Sequence, residues 1–475
     1  MAAMRKRFAS VCSSSSAEED SAGLYDSAAM SVSDPASEQE HPYASLLCCH
    51  SVQDSLLSSN SSFTRYRGIL NWIIILLVLT HAHLFLENFI QHGFLIDVKK
   101  VFQHLIEDYN TCSSVSLILG ANIFPITALL LEKSQEKGIL SHANGQHLHL
   151  VNLGLLLLCP AAVIVHEPAT STGGAFLSLW LYTVLGMKLY SYQEANRWYR
   201  QAHLADADKD HNGSAAQKAH NLYYFLLAPT LCYQRDFPCT PKVRINNLLH
   251  RLLEMVIVIQ IMVGIVQQWI EPIFQRSEHS FSSMDITMRV EHLVELVAPT
   301  HFLWLLVFFL SHSSLNFCAE LLRFGDRHFY GDWWNATTLI AFWKNWNIPF
   351  QKWCHRHVHT QLVGENVPSS RAELLVFLMS AAVLEYMFAL PLCNCRLWIF
   401  AVMMFELLVA VFLRDYFQGN YGNGLVWLCL LLGPPLAVIT YFHDHYISFH
   451  HGHPSPSSPL MSDHRLPSTF LLEPQ

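Results

Sequence analysis

Charge is what this 475-residue chain has least of: Asp, Glu, Lys and Arg make up only 14% of it. An ordinary soluble domain carries about a quarter, and such a shortage leaves too few ionised side chains to cover a water-facing surface of this size. No secretory leader is expected at the start of the sequence, because Arg5, Lys6 and Arg7 run into serine and acid with no apolar stretch behind them. No internal repeat is visible, which speaks against a transporter built from inverted repeats. No basic, aromatic-interleaved patch occurs, and the net charge of −8 owes much to an acidic N-terminal arm, so no nucleic-acid partner is expected. The twelve cysteines are scattered without framework spacing and read as reduced core residues. The pair Cys48–Cys49 fits either a palmitoylation site or a plain thiol pair.

What the chain has instead is apolar side chains, 52% of the total. Nine runs approach the ~20 residues that cross a bilayer. They are Ile69–Leu86, Val115–Leu131, Leu148–Val165, Ala175–Tyr190, Leu252–Ile270, Leu293–Leu310, Leu374–Leu392, Leu397–Leu413 and Leu425–Phe442. An all-α, polytopic membrane protein of about nine spans is the expectation. Basic residues cluster in the loops after the fourth and sixth runs, for example Arg197, Arg200 and Arg244, then Arg323, Arg327 and Lys352. Those loops and the N-terminus are therefore placed in the cytosol. Residues 1–62, rich in serine and acid, are expected to be a disordered cytosolic arm, and residues 450–475, interrupted by five prolines, a disordered tail. Residues 63–449 form one membrane domain.

One polar loop is unusually rich in tryptophan: Trp333, Trp334, Trp343, Trp346 and Trp353. On composition alone this is an interfacial segment anchored by indoles. Order says more. Phe329-Tyr-Gly-Asp-Trp-Trp-Asn335 resembles the F-Y-x-D-W-W-N signature of the sterol and diacylglycerol O-acyltransferases, a branch of the membrane-bound O-acyltransferase superfamily. Tyr66-Arg-Gly-Ile-Leu-Asn-Trp72, Leu84-Phe-Leu-Glu-Asn88, the stretch Tyr223 to Tyr233, Asn345-Trp-Asn-Ile-Pro349 and Phe417-Gln-Gly-Asn-Tyr-Gly-Asn423 are similar to the diacylglycerol branch. The likeness covers about residues 46 to 446, essentially the whole membrane domain.

The resemblance implies a multi-pass protein of the endoplasmic reticulum that moves an acyl group from acyl-CoA to diacylglycerol, with no cofactor because acyl-CoA is itself a substrate. It implies a buried chamber, a dimer or tetramer, and a histidine inside the membrane acting as general base. An alcohol is a poor nucleophile at neutral pH, and a neutral imidazole can take its proton. By the same resemblance, substrate contacts fall to Phe329, Tyr330, Asp332, Trp333, Trp334, Asn335, Gln351 and Pro434, and catalytic work to Leu384, Glu385 and Asn347. Here the chain departs from the pattern. The expected His-Glu-Tyr is Leu384-Glu385-Tyr386, and leucine has no atom that accepts a proton. Gln351 stands for histidine and Pro434 for glutamine. Glu385 is open to two readings, a catalytic carboxylate or a paired structural one.

Another histidine is the obvious replacement, and the chain has 28. His312 reads as a chamber residue or a satisfied core histidine. His355, His357 and His359 read as one face of an extended zinc site or as a polar loop. His443-Asp444-His445 belongs to the family scaffold, and His450-His451-Gly-His453 to the tail. His92 to Asp97 shows the H-x₄-D spacing of another acyltransferase class, a two-residue pattern that arises easily by chance.

Overall fold

The structure is a computed structural model that describes residues 50, 52–56, 68–69, 72–73, 75, 90, 112–166, 172–205, 215–277, 284–413, 416–417 and 419–452. The expected N-terminal arm, most of the first span, the Cys48–Cys49 pair, the His92–Asp97 pattern and His453 lie outside the described residues. Among the described residues the chain is helical, with two isolated β-bridges and no strand.

The helices run in chain order as α1 (Cys112–Gly120), α2 (Ile123–Glu136), α3 (His142–His166), α4 (Thr172–Ala205), α5 (Ala215–Leu227) and α6 (Ile245–Ile265). A π-turn at Val266–Ile270 carries α6 on to Gln275. There follow α7 (Ile286–Leu321), α8 (Leu339–Trp346), α9 (Ile348–Cys354), α10 (Ser369–Ala389), α11 (Trp398–Leu413), α12 (Gly419–Leu431) and α13 (Pro434–Gly452).

Among the described residues six helical stretches are long and apolar enough to cross a membrane: Val115–Glu136, His142–His166, Ile245–Gln275, Ile286–Leu321, Ser369–Ala389 and Tyr421–Ser448. Each contains or overlaps one of the nine expected spans. The protein is thus a multi-pass membrane protein, but nine is not the number reached among the described residues. The eighth run is α11, only 16 residues long. The fourth lies in α4, a 34-residue helix that turns polar after Tyr192. At about 1.5 Å per residue α7 is about 54 Å long, well beyond the ~30 Å of hydrocarbon, so it projects past the bilayer.

Outward faces are apolar where a soluble helix would be polar. On α6, Leu249, Leu253, Val256, Ile257, Ile259 and Ile261 are all exposed, the pattern of a lipid-facing helix. Inside, an aromatic core forms where α7, α8 and α12 meet. Trp72 stacks on Trp427 with centroids 5.0 Å apart, and Trp333 meets Trp72, Phe308 and Trp346 edge-on. Offset and edge-to-face contacts of this kind are the favoured aromatic geometries.

Polar side chains within the helices are engaged with helix ends. Lys188 of α4, fully enclosed, donates from Nζ to the carbonyls of Phe225 (3.0 Å), Leu226 (2.8 Å) and Ala228 (2.7 Å). Those are the carbonyls at the end of α5, which have no helical partner of their own. An ammonium has three protons, and all three are used. Lys188→Met keeps the chain length and removes the donors. It is expected to cost about 3 kcal/mol by stranding buried carbonyls, read as a lower thermal midpoint of the detergent-purified protein. An unchanged midpoint would show that α5 is capped by other means.

Candidate functional site

The signature segment Phe329–Asn335 is built as a knot between distant parts of the chain. Its centre is one 3₁₀ turn, Trp333–Asn335. Gly331 N–H donates to the Asn345 carbonyl (2.8 Å), and Ile348 N–H to the Phe329 carbonyl (3.0 Å), which lashes the segment to the Asn345–Pro349 motif. Asn335 Oδ1 accepts the Gly68 N–H (2.9 Å), and Asn423 Nδ2 donates to the carbonyls of Trp334 (3.0 Å) and Ala336 (2.8 Å). A Cβ on Gly68 would sit 1.7 Å from the Trp334 carbonyl oxygen, so only glycine allows this approach. Four motifs separate in sequence therefore meet in one place. Phe329, Tyr330, Trp333 and Trp334 are each at most 3% exposed. These rings are core, so Trp333 and Trp334 depart from the interfacial pattern that composition alone suggests, while Trp343 and Trp346 are half-buried. The interfacial pattern was inferred from composition, and the backbone bonds above pull the turn inside instead.

Asn347 sits between α8 and α9, exposed, and its Oδ1 accepts the Phe350 N–H (3.2 Å) as the N-cap of α9. Asp332 is half-buried just before the 3₁₀ turn and accepts the Asn335 N–H through its backbone carbonyl (2.9 Å).

Leu384 lies on α10 and packs, half-buried, against an apolar cluster of Ala381, Ala389, Ile399, Met403, Ala437 and Tyr441 drawn from α10, α11 and α13. Its neighbour Glu385 is buried. Glu385 Oε2 accepts the Phe400 N–H (3.0 Å), and Oε1 accepts the Tyr441 hydroxyl. Tyr441 in turn accepts the Trp398 N–H (3.0 Å). Trp398 and Phe400 open α11, so together Glu385 and Tyr441 satisfy two of the amides that the first turn of that helix leaves unpaired. No histidine is among the partners described for Glu385.

Gln351 is held by Trp343, and Pro434 is buried at the start of α13. Gln351 Nε2 donates to the Trp343 carbonyl (3.1 Å), while the indole packs against the same cluster as Leu384. Trp343 Nε1 donates to Glu406 Oε2 (3.2 Å). The other oxygen of Glu406 has no hydrogen-bond partner. It faces Gly433, the residue before Pro434, where a Cβ would lie 2.3 Å from Oε1. Sequence reasoning passed over Glu406. The signal was present, since it is the one acid in the apolar stretch Trp398–Leu413, and intramembrane acids are costly and usually functional.

The histidines divide clearly. His312 of α7 is satisfied: Arg251 donates to its Nε2 (3.0 Å) and its Nδ1 pairs with the Tyr330 hydroxyl. A guanidinium only donates, so the ring hydrogen is on Nδ1. His355, His357 and His359 occupy a π-turn, not an extended strand. His355 and His359 stack on each other at 5.1 Å, while His357 turns inward to Ser191 Oγ (2.8 Å) and lies flat on Trp198. Spacing by two puts side chains on one face only in extended backbone, so the three are not brought together. His443 is buried against Phe274 and His292, and His445 Nε2 pairs with Thr172 Oγ1 (3.1 Å).

Beside the signature lies a polar cleft of about 190 Å³ whose lining includes His50, Thr230, Asp326, His328, Phe329 and Lys352. Asp326 Oδ2 accepts from His50 Nδ1 (2.9 Å) and Lys352 Nζ (2.8 Å). Burial raises the Asp326 carboxyl, but the His50 bond and the Lys352 charge outweigh it and hold it below the ordinary aspartate value. Burial lowers the His328 imidazole, and the Lys352 charge lowers it further.

These features define the class of protein. The membrane-bound O-acyltransferase family model matches residues 139–443, and the chain belongs to that family. Its relatives include diacylglycerol O-acyltransferase 1 of Bos taurus, 44% identical over 417 residues, which cover 84% of this chain and 85% of the relative. The Homo sapiens protein of the same name is 43% identical over 413 residues, 84% and 85% of the two chains. Diacylglycerol O-acyltransferase 1A of Glycine max is 33% identical over 410 residues, 83% and 81%.

Two expectations test this geometry. Glu385→Ala removes both acceptors and should cost about 3 kcal/mol, with Tyr441→Phe costing about 1 kcal/mol, both read as thermal midpoints. If Glu385→Ala leaves the midpoint unchanged, the carboxylate does not cap α11. A depressed carboxyl stabilises the fold above the pH of about 4 where an unfolded aspartate titrates, and that contribution is lost as pH falls through the folded value. Asp326→Asn should therefore flatten the acid limb of stability against pH, and an unaltered limb would assign acid sensitivity to other carboxylates.

Proposed function

We propose that this chain is a diacylglycerol-type O-acyltransferase of the endoplasmic reticulum membrane, N-terminus in the cytosol, that transfers acyl groups from acyl-CoA to diacylglycerol at a severely reduced rate. Leu384 carries the reading. It stands where the family resemblance implies the histidine base, and it packs against the apolar cluster of Ala381, Met403 and Tyr441. Identity of 43–44% to proteins named diacylglycerol O-acyltransferase 1 over most of both chains supports the substrate pair. The Trp-rich signature and Asn347 are present to bind acyl-CoA, and enclosure in the membrane keeps water from the thioester. A dimer or tetramer is part of the same reading.

The reaction joins the acceptor hydroxyl oxygen to the acyl carbon as the C–S bond of the thioester breaks. Without a base at position 384 the hydroxyl proton has no imidazole to take it. Loss of a general base lowers a rate by about 10²–10⁴, and proximity of the bound substrates contributes to a slow remainder. The capping role of Glu385 favours a second reading, in which the chain is a catalytically impaired relative that binds lipid or acyl-CoA or pairs with an active partner.

Microsomes from cells lacking their own triacylglycerol synthases separate the cases. Given labelled acyl-CoA and diacylglycerol, the chain is expected to form little triacylglycerol, and Leu384→His about 100-fold more or better. Wild-type synthesis as fast as that of the histidine variant would refute the reduced-rate reading. Saturating acyl-CoA should raise the thermal midpoint of the purified protein, and its failure to do so would remove acyl-CoA binding from both readings.

A further inference from the structure

Within the membrane helices, Lys188, Glu385 and His312 are committed to hydrogen-bonding partners. Glu406 is only half committed, and among the described residues it shares that state with His443, whose ring nitrogens have no hydrogen-bond partner. Glu406 is 1% exposed, on the face of α11 that also presents Met403 and Ile399 to the bundle, one and two turns earlier. Trp343 Nε1 fixes Oε2 at 3.2 Å, and Oε1 is enclosed with no partner. An ionisable oxygen held unpaired in an apolar interior is costly, which makes it unlike a residue kept for the fold. Gly433 lies against it: any side chain there would come to 2.3 Å from Oε1 and close off the oxygen. Through Trp343, the carboxyl is joined to Gln351 and to the cluster that holds Leu384.

We propose that Glu406 is the proton acceptor of this chain, its free Oε1 receiving the hydroxyl hydrogen of a lipid alcohol in place of the imidazole that Leu384 has displaced. The inference rests on the acyl-transfer reading above and adds the residue that sustains the remaining rate. As the acceptor oxygen bonds to the acyl carbon, its proton passes to Oε1. The C–S bond breaks with its electron pair on sulfur, and the Glu406 carboxyl returns the proton to that thiolate. Ester and free CoA thiol leave, and the carboxylate is restored. No oxidant or further reactant is needed. A carboxylate offers acceptor atoms only, so the site takes a hydroxyl donor and has nothing to offer an ether or ester oxygen.

The test is a four-way comparison of the full-length chain in the same microsomes, with long-chain acyl-CoA and diacylglycerol: wild type, Glu406→Gln, Leu384→His, and the double variant. Glutamine keeps the size of the side chain and an oxygen for Trp343. Expected is a fall of about 100-fold on Glu406→Gln in the wild-type background, with loss of the pH dependence of the wild-type rate. In the Leu384→His background the same substitution should leave the rate close to that of Leu384→His alone, which also shows that the variant folds. A Glu406→Gln rate equal to wild type overturns the proposal. So does an equal fall in both backgrounds, the mark of a structural carboxyl bonded to a neighbour such as the Cys429 carbonyl. A wild type that makes no ester while Leu384→His does overturns it as well. If neither makes ester, the acyl-transfer reading itself fails.

Discussion

Everything in this fold answers to one constraint: a polar group inside the bilayer has no water to turn to and must find its partner within the protein. Helix ends feel it most, because each exposes four unpaired amides or carbonyls. Here they are met by side chains from other helices. Lys188 closes the end of α5 from α4, and Glu385 with Tyr441 closes the start of α11 from α10 and α13. His301 of α7 places Nε2 3.1 Å from the Leu430 carbonyl, at the end of α12. Glu320, at the end of α7, gathers Arg244 and Arg327. Each of these contacts also ties one helix to another, so capping and tertiary packing are the same interaction.

The signature segment obeys the same rule by a different route. Its backbone is irregular, and irregular backbone within a membrane domain survives only when its groups are paired. Asn335, Asn345 and Asn423 supply that pairing through side chain or main chain, while the indoles fill the space around them. A motif that reads as a substrate site is, in its physical detail, also the closure of the core.

The contrast between Glu385 and Glu406 follows. Both are buried acids in apolar helices, and the sequence marks both equally. Glu385 has two donors, each itself needed by the fold, and no oxygen to spare for a reactant. Glu406 has one donor and one oxygen left over, against a glycine where a Cβ would come to 2.3 Å from it. The carboxyl that sits in the family pattern is thus the one engaged by two donors of the fold, and the proposed proton acceptor lies outside that pattern. His312 shows the same sorting among histidines, its ring bracketed by Arg251 and Tyr330.

Much was legible in the chain alone. Low charge and long apolar runs determined a multi-pass helical protein, since no other arrangement buries such surface, and the ordered motifs from Tyr66 to Asn423 determined the family. The change to Leu384 was visible too, because a side chain without a lone pair needs no structure to be recognised as unable to take a proton. The number of full-length spans was less legible: α11 is too short and α4 too polar, and window hydropathy does not see where a helix bends or ends. The burial of Trp333 and Trp334 was not legible for the same reason, since composition does not show which backbone groups will draw a turn inward. Only the tertiary structure decided which buried charges are already paired, because pairing depends on contacts between residues as far apart as Glu385 and Tyr441, and sequence separation carries no information about a distance of 3 Å.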